Sequence, residues 1–271
     1  MVAAHPQVSI TRACRLLRLH KSRYYYVSRK EDADREVMEA IEKAGRFGDG
    51  FWNIYHRIRK EHKWNHKRVY RVYKMMHYNK KSRLRRRFPA RVKEPLEVPG
   101  APCQSWSLDF VSDALECGRR FRVLNVIDDF NREALAMEPA MSITASRLVR
   151  MLEAVIWTHG KPQKIRTDNG PEFISGEFNR WCEANCIEHQ FTQPGCPTQN
   201  AYVERFNGSY RRGVLDAYIF KTLADVREAT EQWRDDYNNE RPHQALGYKT
   251  PAEVKEEHQA LIASPDAKQA V

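Results

Sequence analysis

The sequence predicts an α/β protein in which a mixed sheet with flanking helices follows a small, basic, all-α region. Three observations predict it. Apolar residues recur only at helical spacing before residue 88, whereas from residue 103 alternating runs come first and then mingle with helical ones. The charge divides at the same place, with 26 Lys and Arg against 10 Asp and Glu in residues 1–100, and 20 against 25 in the remainder. Between the halves, Pro89, Pro95, Pro99 and Pro102 punctuate a stretch with neither period. The expected organisation is a basic helical region at 1–88, a Pro-rich linker at 89–102, a sheet-bearing domain with C-terminal helices at 103–262, and a tail at 263–271.

With 271 residues, of which 41% are hydrophobic and 11% aromatic, the chain can bury a core, which excludes a wholly disordered protein. No apolar run reaches the roughly 18 residues that a membrane span needs, and Met1 opens no charged-then-apolar leader. Six cysteines (Cys14, Cys103, Cys117, Cys182, Cys186, Cys196) contain no CxxC pair, which argues against a disulfide scaffold. The expectation is a soluble, cytoplasmic protein. The net charge of +11, concentrated in the first hundred residues, points to nucleic acid. A solvated basic face or a membrane-surface patch would give the same count.

Residues 9–27 read as a short helix, a break near His20–Lys21 and a second turn capped by Ser22, with Ala13, Leu16 and Leu17 on one face. Residues 31–45 form a helix with acids at its start and Gly45 past its end. Ile54 and Ile58, then Val69, Val72, Tyr73 and Met76, mark two helices joined around Trp64–His66, with Asn65 as cap. Their other surfaces carry Arg57, Lys67, Arg68, Arg71 and Lys74, and a run of six basic residues in eight follows: Lys80, Lys81, Arg83, Arg85, Arg86 and Arg87. Arg57, Lys67, Arg68, Arg71 and the 80–87 run are the candidate phosphate contacts.

Beyond the linker, residues 103–111 alternate, with Trp106, Leu108 and Phe110 on one face and Ser105, Ser107 and Asp109 on the other. Residues 120–128 make a buried strand and 133–138 a shorter one. The segment 143–158 is a helix with Leu148, Leu152 and Val155 inward, stopped by Gly160. A strand at 163–167 runs into the turn Asp168-Asn169-Gly170; a helix from Ser175 to Asn185 and a strand at 187–191 follow. The Pro/Gly loop 193–200 leads into a helix to Leu215, and two more helices (222–237, 251–262) flank the segment YNNERPHQALGYKTP.

Three acids stand at informative places: Asp109 within the first strand, Asp168 at a strand end, and Glu204 on the helix after the Pro/Gly loop. Converging carboxylates suit hard divalent cations, and two such ions about 3.5–4 Å apart activate the attacking oxygen and stabilise the leaving one in phosphoryl transfer. Spacing alone leaves each acid equally readable as a turn or surface residue. On the helix, Val203, Phe206, Tyr210 and Val214 form the docking face. Asn200, Glu204, Asn207 and Arg211 form a stripe about 80° away, readable as a site border or as a solvated Glu–Arg face.

The ordered set SWSLDF, RTDNGPEF, NAYVERFNGSYRRGVL and YNNERPHQALGYKTPAEV resembles the DDE transposases of bacterial insertion sequences, and more narrowly the second-frame (OrfB) proteins of the two-frame group, from about residue 9 to 255. Thirty-five residues separate Asp168 from Glu204, and Arg211 sits where the group carries a basic residue. The resemblance implies a ribonuclease H-like domain, similar to the retroviral integrase core, with Asp109, Asp168 and Glu204 as catalytic residues binding two Mg²⁺ or Mn²⁺ ions. Asn200 and Arg211 would meet DNA. The implied partners are the element's terminal repeats and target DNA, further copies of the chain, and a first-frame (OrfA) protein or a fusion to it; the implied setting is the bacterial nucleoid. A non-catalytic DNA-binding protein, from a degenerate element or acting as a regulator, is the competing reading.

Other features have plainer readings. Asp128 and Asp129 read as turn and cap, Asp113 as part of the first hairpin, and Glu172 as a loop acid. Cys182, Cys186, His189 and Cys196 match no common zinc spacing and read as small buried residues. Tyr24–Tyr26 read as packing rather than base-stacking residues, and His243 as part of a structural clasp.

Overall fold

A computed structural model describes residues 9–25, 30–46, 48–79, 98–192 and 200–263, with side chains from 34 onward in the second of these segments. The expected architecture is present. Helices α1 (Ile10–Leu16), α2 (Lys21–Tyr24), α3 (Lys30–Ala44), α4 (Phe51–Glu61) and α5 (His66–Met75) precede the sheet. The strands are β1 (Ser105–Ala114), β2 (Arg120–Asp128), β3 (Ala134–Ala140), β4 (Lys164–Thr167) and β5 (Glu188–Phe191). Helices α6 (Ala145–His159) and α7 (Gly176–Ala184) alternate with the later strands, and α8 (Ala201–Tyr210), α9 (Leu223–Asp235) and α10 (Pro251–Ala263) follow them. The sheet order is β3-β2-β1-β4-β5. β1 and β2, and β2 and β3, run antiparallel, whereas β1 and β4, and β4 and β5, run parallel.

Period-two alternation in β1 divides the domain into two cores. Trp106 and Leu108 join Leu124, Leu148, Leu152 and Phe178 beneath α6 and α7. Val111, on the opposite face, joins Phe121, Val123, Val203, Phe206 and Tyr210 beneath α8 and α9. Asp109 shares the α8 face. Capping residues stand at the helix ends: Thr144 and Ser175 accept from backbone N–H groups of α6 and α7, and Gly160 ends α6 at φ +94°. The last turns of α8 and α9 widen, with Asp216 N bonding to Arg211 O and Arg241 N to Asp236 O, each at 2.7 Å. At the first widened turn Gly213 lies against Trp233, whose Nε1 would be 2.6 Å from any Cβ there.

Val37, Ile41, Ile54, Ile58, Val69 and Val72 form a third core within α3–α5, and Asn65 accepts from Lys67 N as expected of a cap. α1 and α2 depart from expectation. His20, not Ser22, caps α2 through its ring nitrogen. Leu16 and Leu17 point outward, as do Tyr24 and Tyr25, because these short helices bury only Ala13 and Cys14 and offer no surface large enough to cover the rest.

The helical unit docks on the C-terminal helices through Arg57. Its Nη2 donates to both carboxylate oxygens of Asp236 (3.0 and 2.8 Å), Nη1 to Asp49 and to Ala44 O, and Nε to Glu240 O. Around this hub Lys60 pairs with Glu253 at 2.7 Å, and His56 stacks on Tyr248 with ring centroids 3.8 Å apart. Arg57 is therefore a buried clamp and not the phosphate contact its place in a basic helix suggested: its guanidinium is 9% exposed and every nitrogen is engaged within the protein.

Candidate active site

The three acids come from three elements that meet on one side of the sheet. Asp109 lies in β1 opposite Asn125 of β2, and α8 crosses above both strands. Asn207 Nδ2 donates to Asp109 Oδ2 at 2.7 Å, and Asn125 Nδ2 donates to Asn207 Oδ1 at 2.7 Å. The other oxygen of Asp109 accepts its neighbour's amide, Phe110 N, at 2.7 Å. The carboxylate is thus held in one orientation by an amide relay from strand to helix. Asp168 stands exposed just past the end of β4, its Oδ1 accepting from Gly170 N at 3.0 Å. Glu204 stands exposed in the first turn of α8.

Electrostatics join the three. Burial pushes the Asp109 carboxyl up to about 6, and the negative charges of Asp168 and Glu204 push in the same direction, against the bonds from Phe110 and Asn207. Partial burial also raises Glu204. Among the described residues no three His, Cys, Asp or Glu side chains stand close enough together to hold a metal as they are. The acids are within electrostatic reach of one another without forming a closed cage.

The remaining expected residues are distributed unevenly. Asn200 is buried, with its Oδ1 unpartnered, so it does not present itself to a ligand at the surface. Arg211 donates to Ser112 O at 2.7 Å and lies 3.7 Å from Asp113 and Asp216, bracing α8 against β1 while remaining 41% exposed. Arg71 makes a two-point pair with Asp34 at 2.7 Å, so this charge is engaged within the helical unit. Lys67 is exposed, and Arg68 lies over the Trp64 ring. Lys80, Lys81, Arg83, Arg85, Arg86 and Arg87 lie outside the described residues, as do most of the linker and the tail.

Asp129 is more than a turn residue. Fully buried, it accepts from Ser105 and Ser107 at 2.7 and 2.6 Å and pairs with Arg166 at 3.2 Å, tying β1 to β4. Asp128 accepts from Cys103 N and Phe130 N, and burial pushes its carboxyl up to about 6. Glu172 pairs with Arg122, which also covers the Phe110 ring. His189 is held between Thr167 and Asn179, and burial pushes the Cys182 thiol up to about 12, as expected of packing residues. Asn125 was not singled out in the sequence. The available signal was a lone amide inside the apolar run RFRVLNVID, since a buried polar side chain requires a partner.

Residues 99–197 match the profile of an integrase core domain, and residues 185–251 match a second profile of the same description. The chain is 39% identical to the 31.7 kDa protein of insertion element IS407 from Burkholderia multivorans, over 98% of each chain. It is 26% identical to the transposase for insertion sequence element IS629 from Shigella sonnei, over 62% of this chain and 57% of that one. In fold it is similar to a chain of the simian T-cell lymphotropic virus intasome complexed with PP2A regulatory subunit B56 gamma. That likeness has a TM-score of 0.51 and 21% identity, over 72% of this chain and 68% of the other.

Proposed function

This chain belongs to the bacterial insertion-sequence DDE transposases with an integrase-like core, and from that premise we propose that it cleaves and joins DNA strands by divalent-metal-dependent phosphoryl transfer. Asp109, Asp168 and Glu204 are the ligand set. The observation that carries this reading is Asp109, oriented by Asn207 and raised to about 6 beside the charges of Asp168 and Glu204. Hard oxygen donors whose mutual repulsion favours protonation suit a dication, and Mg²⁺ or Mn²⁺ fits this donor set. When bound, the ions would supply nucleophile activation and leaving-group stabilisation.

In the first step a water oxygen attacks the phosphorus at the element end, and the strand's 3′ oxygen leaves with a proton. In the second step that 3′-OH attacks a target phosphodiester, forming one P–O bond as another breaks. No side chain forms a covalent bond in either step. Asn207 fixes the Asp109 carboxylate through both steps, and Arg211, braced on Ser112, offers its exposed guanidinium edge to phosphate. The exposed Lys67 and the 80–87 run supply sequence-independent affinity for the terminal repeats and target. Assembly of several copies on DNA, with a first-frame protein as partner or fusion, belongs to the same proposal. No helix among the described residues is long and apolar enough to cross a membrane.

The test is a strand-transfer assay on end oligonucleotides with Mg²⁺ or Mn²⁺, run beside a binding assay on the same DNA. Glu204→Gln keeps shape and removes the charge, so joining is expected to fall on the order of 10³-fold or more while affinity stays near wild type. Wild-type joining by Glu204→Gln would remove Glu204 from the ligand set.

A further inference from the structure

Remote from the three acids, α4, α5 and the loop before α10 share a continuous aromatic surface. Trp52 lies 5.8 Å from His66 and 6.4 Å from Tyr248, ring centroid to centroid, and 5.2 Å from Phe51, which in turn lies 4.8 Å from Tyr70. Trp52 is 48% and Tyr70 41% exposed, so both rings keep an open side. They are held from beneath: Phe51 stacks on Tyr55, which is buried in the helical core. Tyr248 is held in the left-handed region at φ +67°, which a bulky residue rarely adopts, and its ring lies flat on His56. The platform therefore exists before any ligand arrives.

Its surroundings are basic. Residues 51–79 carry eight Lys and Arg and one acid, Glu61. Lys74 Nζ stands 5.0 Å from the Tyr70 ring centroid, and Lys67 is exposed between Trp52 and Tyr70 in sequence order along α5 and α4. Lysine is depleted from the cores of protein–protein interfaces, which makes a protein partner a poor match. A paired duplex hides its base faces. An unpaired strand offers both things this surface lacks, flat π-faces for Trp52 and Tyr70 and phosphates for the lysines.

We propose that the Trp52–Tyr70 platform binds unpaired nucleotides of a DNA strand by base stacking. The site is separate from the acids, and each claim can fail while the other stands.

The experiment measures binding of the full-length chain to a labelled oligothymidine and to a hairpin duplex across a salt series. Trp52→Ala and, independently, Tyr70→Ala are each expected to weaken oligothymidine binding roughly tenfold while leaving the salt slope and duplex affinity unchanged. Trp52→Phe, which keeps a ring, should recover most of the loss. Lys67→Ala combined with Lys74→Ala should instead flatten the salt slope by about 1. The proposal is overturned if both alanine variants bind oligothymidine like wild type, or if they lose duplex affinity equally. It is also overturned if Trp52→Phe is as weak as Trp52→Ala, or if oligouridine is preferred to oligothymidine.

Discussion

Replacing Arg57 with alanine should destabilise the whole chain, because it strands two carboxylates. Asp49 has no exposed side-chain surface and Asp236 only 19%. Both accept from the Arg57 guanidinium, which also bonds to Ala44 O and Glu240 O. Arg241, 3.5 Å from Asp49, and Arg46, 3.5 Å from Asp236, soften the loss without replacing the two-point geometry. Removing one partner of a buried pair costs about 3–5 kcal/mol, most of it the desolvation of the charge left behind. Each 1.4 kcal/mol or so is tenfold, so the folding equilibrium should shift by roughly two to nearly four orders of magnitude. Urea unfolding followed by tryptophan fluorescence and circular dichroism measures this as a lower midpoint at unchanged slope. Adding Asp236→Asn to Arg57→Ala should recover part of the loss, since one stranded charge is gone. The salt slope of DNA binding should not move. A loss below about 1 kcal/mol, the value of an exposed pair, would refute the clamp. A salt slope reduced as for a phosphate contact would do so as well.

Three further outcomes are expected. Asn207→Ala removes the donor to Asp109 Oδ2 and strands Asn125 Nδ2; metal-dependent cleavage should fall about 10–100-fold with DNA affinity unchanged, and undiminished cleavage would show that Asp109 needs no orienting partner. Gly213→Ala drives a methyl into Trp233, and thermal melting should report a loss of about 1–3 kcal/mol. Burial pushes His243 down to about 4, with its Nε2 bonded to Tyr237 O. The unfolded chain takes up this proton near the ordinary value of 6.5 while the folded chain refuses it, so the stability is intact above 6.5 and drains away as pH falls toward 4. Melting curves should therefore drop more steeply on acidification for wild type than for His243→Asn, and parallel curves would exclude His243 as the source.

What was legible in the sequence follows from the range of the physics involved. Alternation in β1, the apolar spacing of α6 and α8, and the caps Asn65, Ser175 and Gly160 are local signals, and each element stands where they placed it. The three acids were picked out by order and spacing within motifs, whereas the side chains that govern their chemistry come from elsewhere in the chain. Asn125 is separated from its partner Asn207 by 82 positions and Asn207 from Asp109 by 98, so no local pattern connects them. Arg57 makes the same point for charge. A basic residue on an amphipathic helix reads as solvent-facing until the chain returns 179 positions later with Asp236. Net charge in a segment therefore measures its supply of cations, and the structure decides how many are spent inside: Arg57 and Arg71 are committed to Asp49, Asp236 and Asp34, which leaves Lys67 and its exposed neighbours to face a polyanion. The same reasoning explains Leu16 and Leu17, whose helical spacing promised a buried face. Periodicity states which residues share a side, and only a neighbouring element of sufficient length can turn that side into a core.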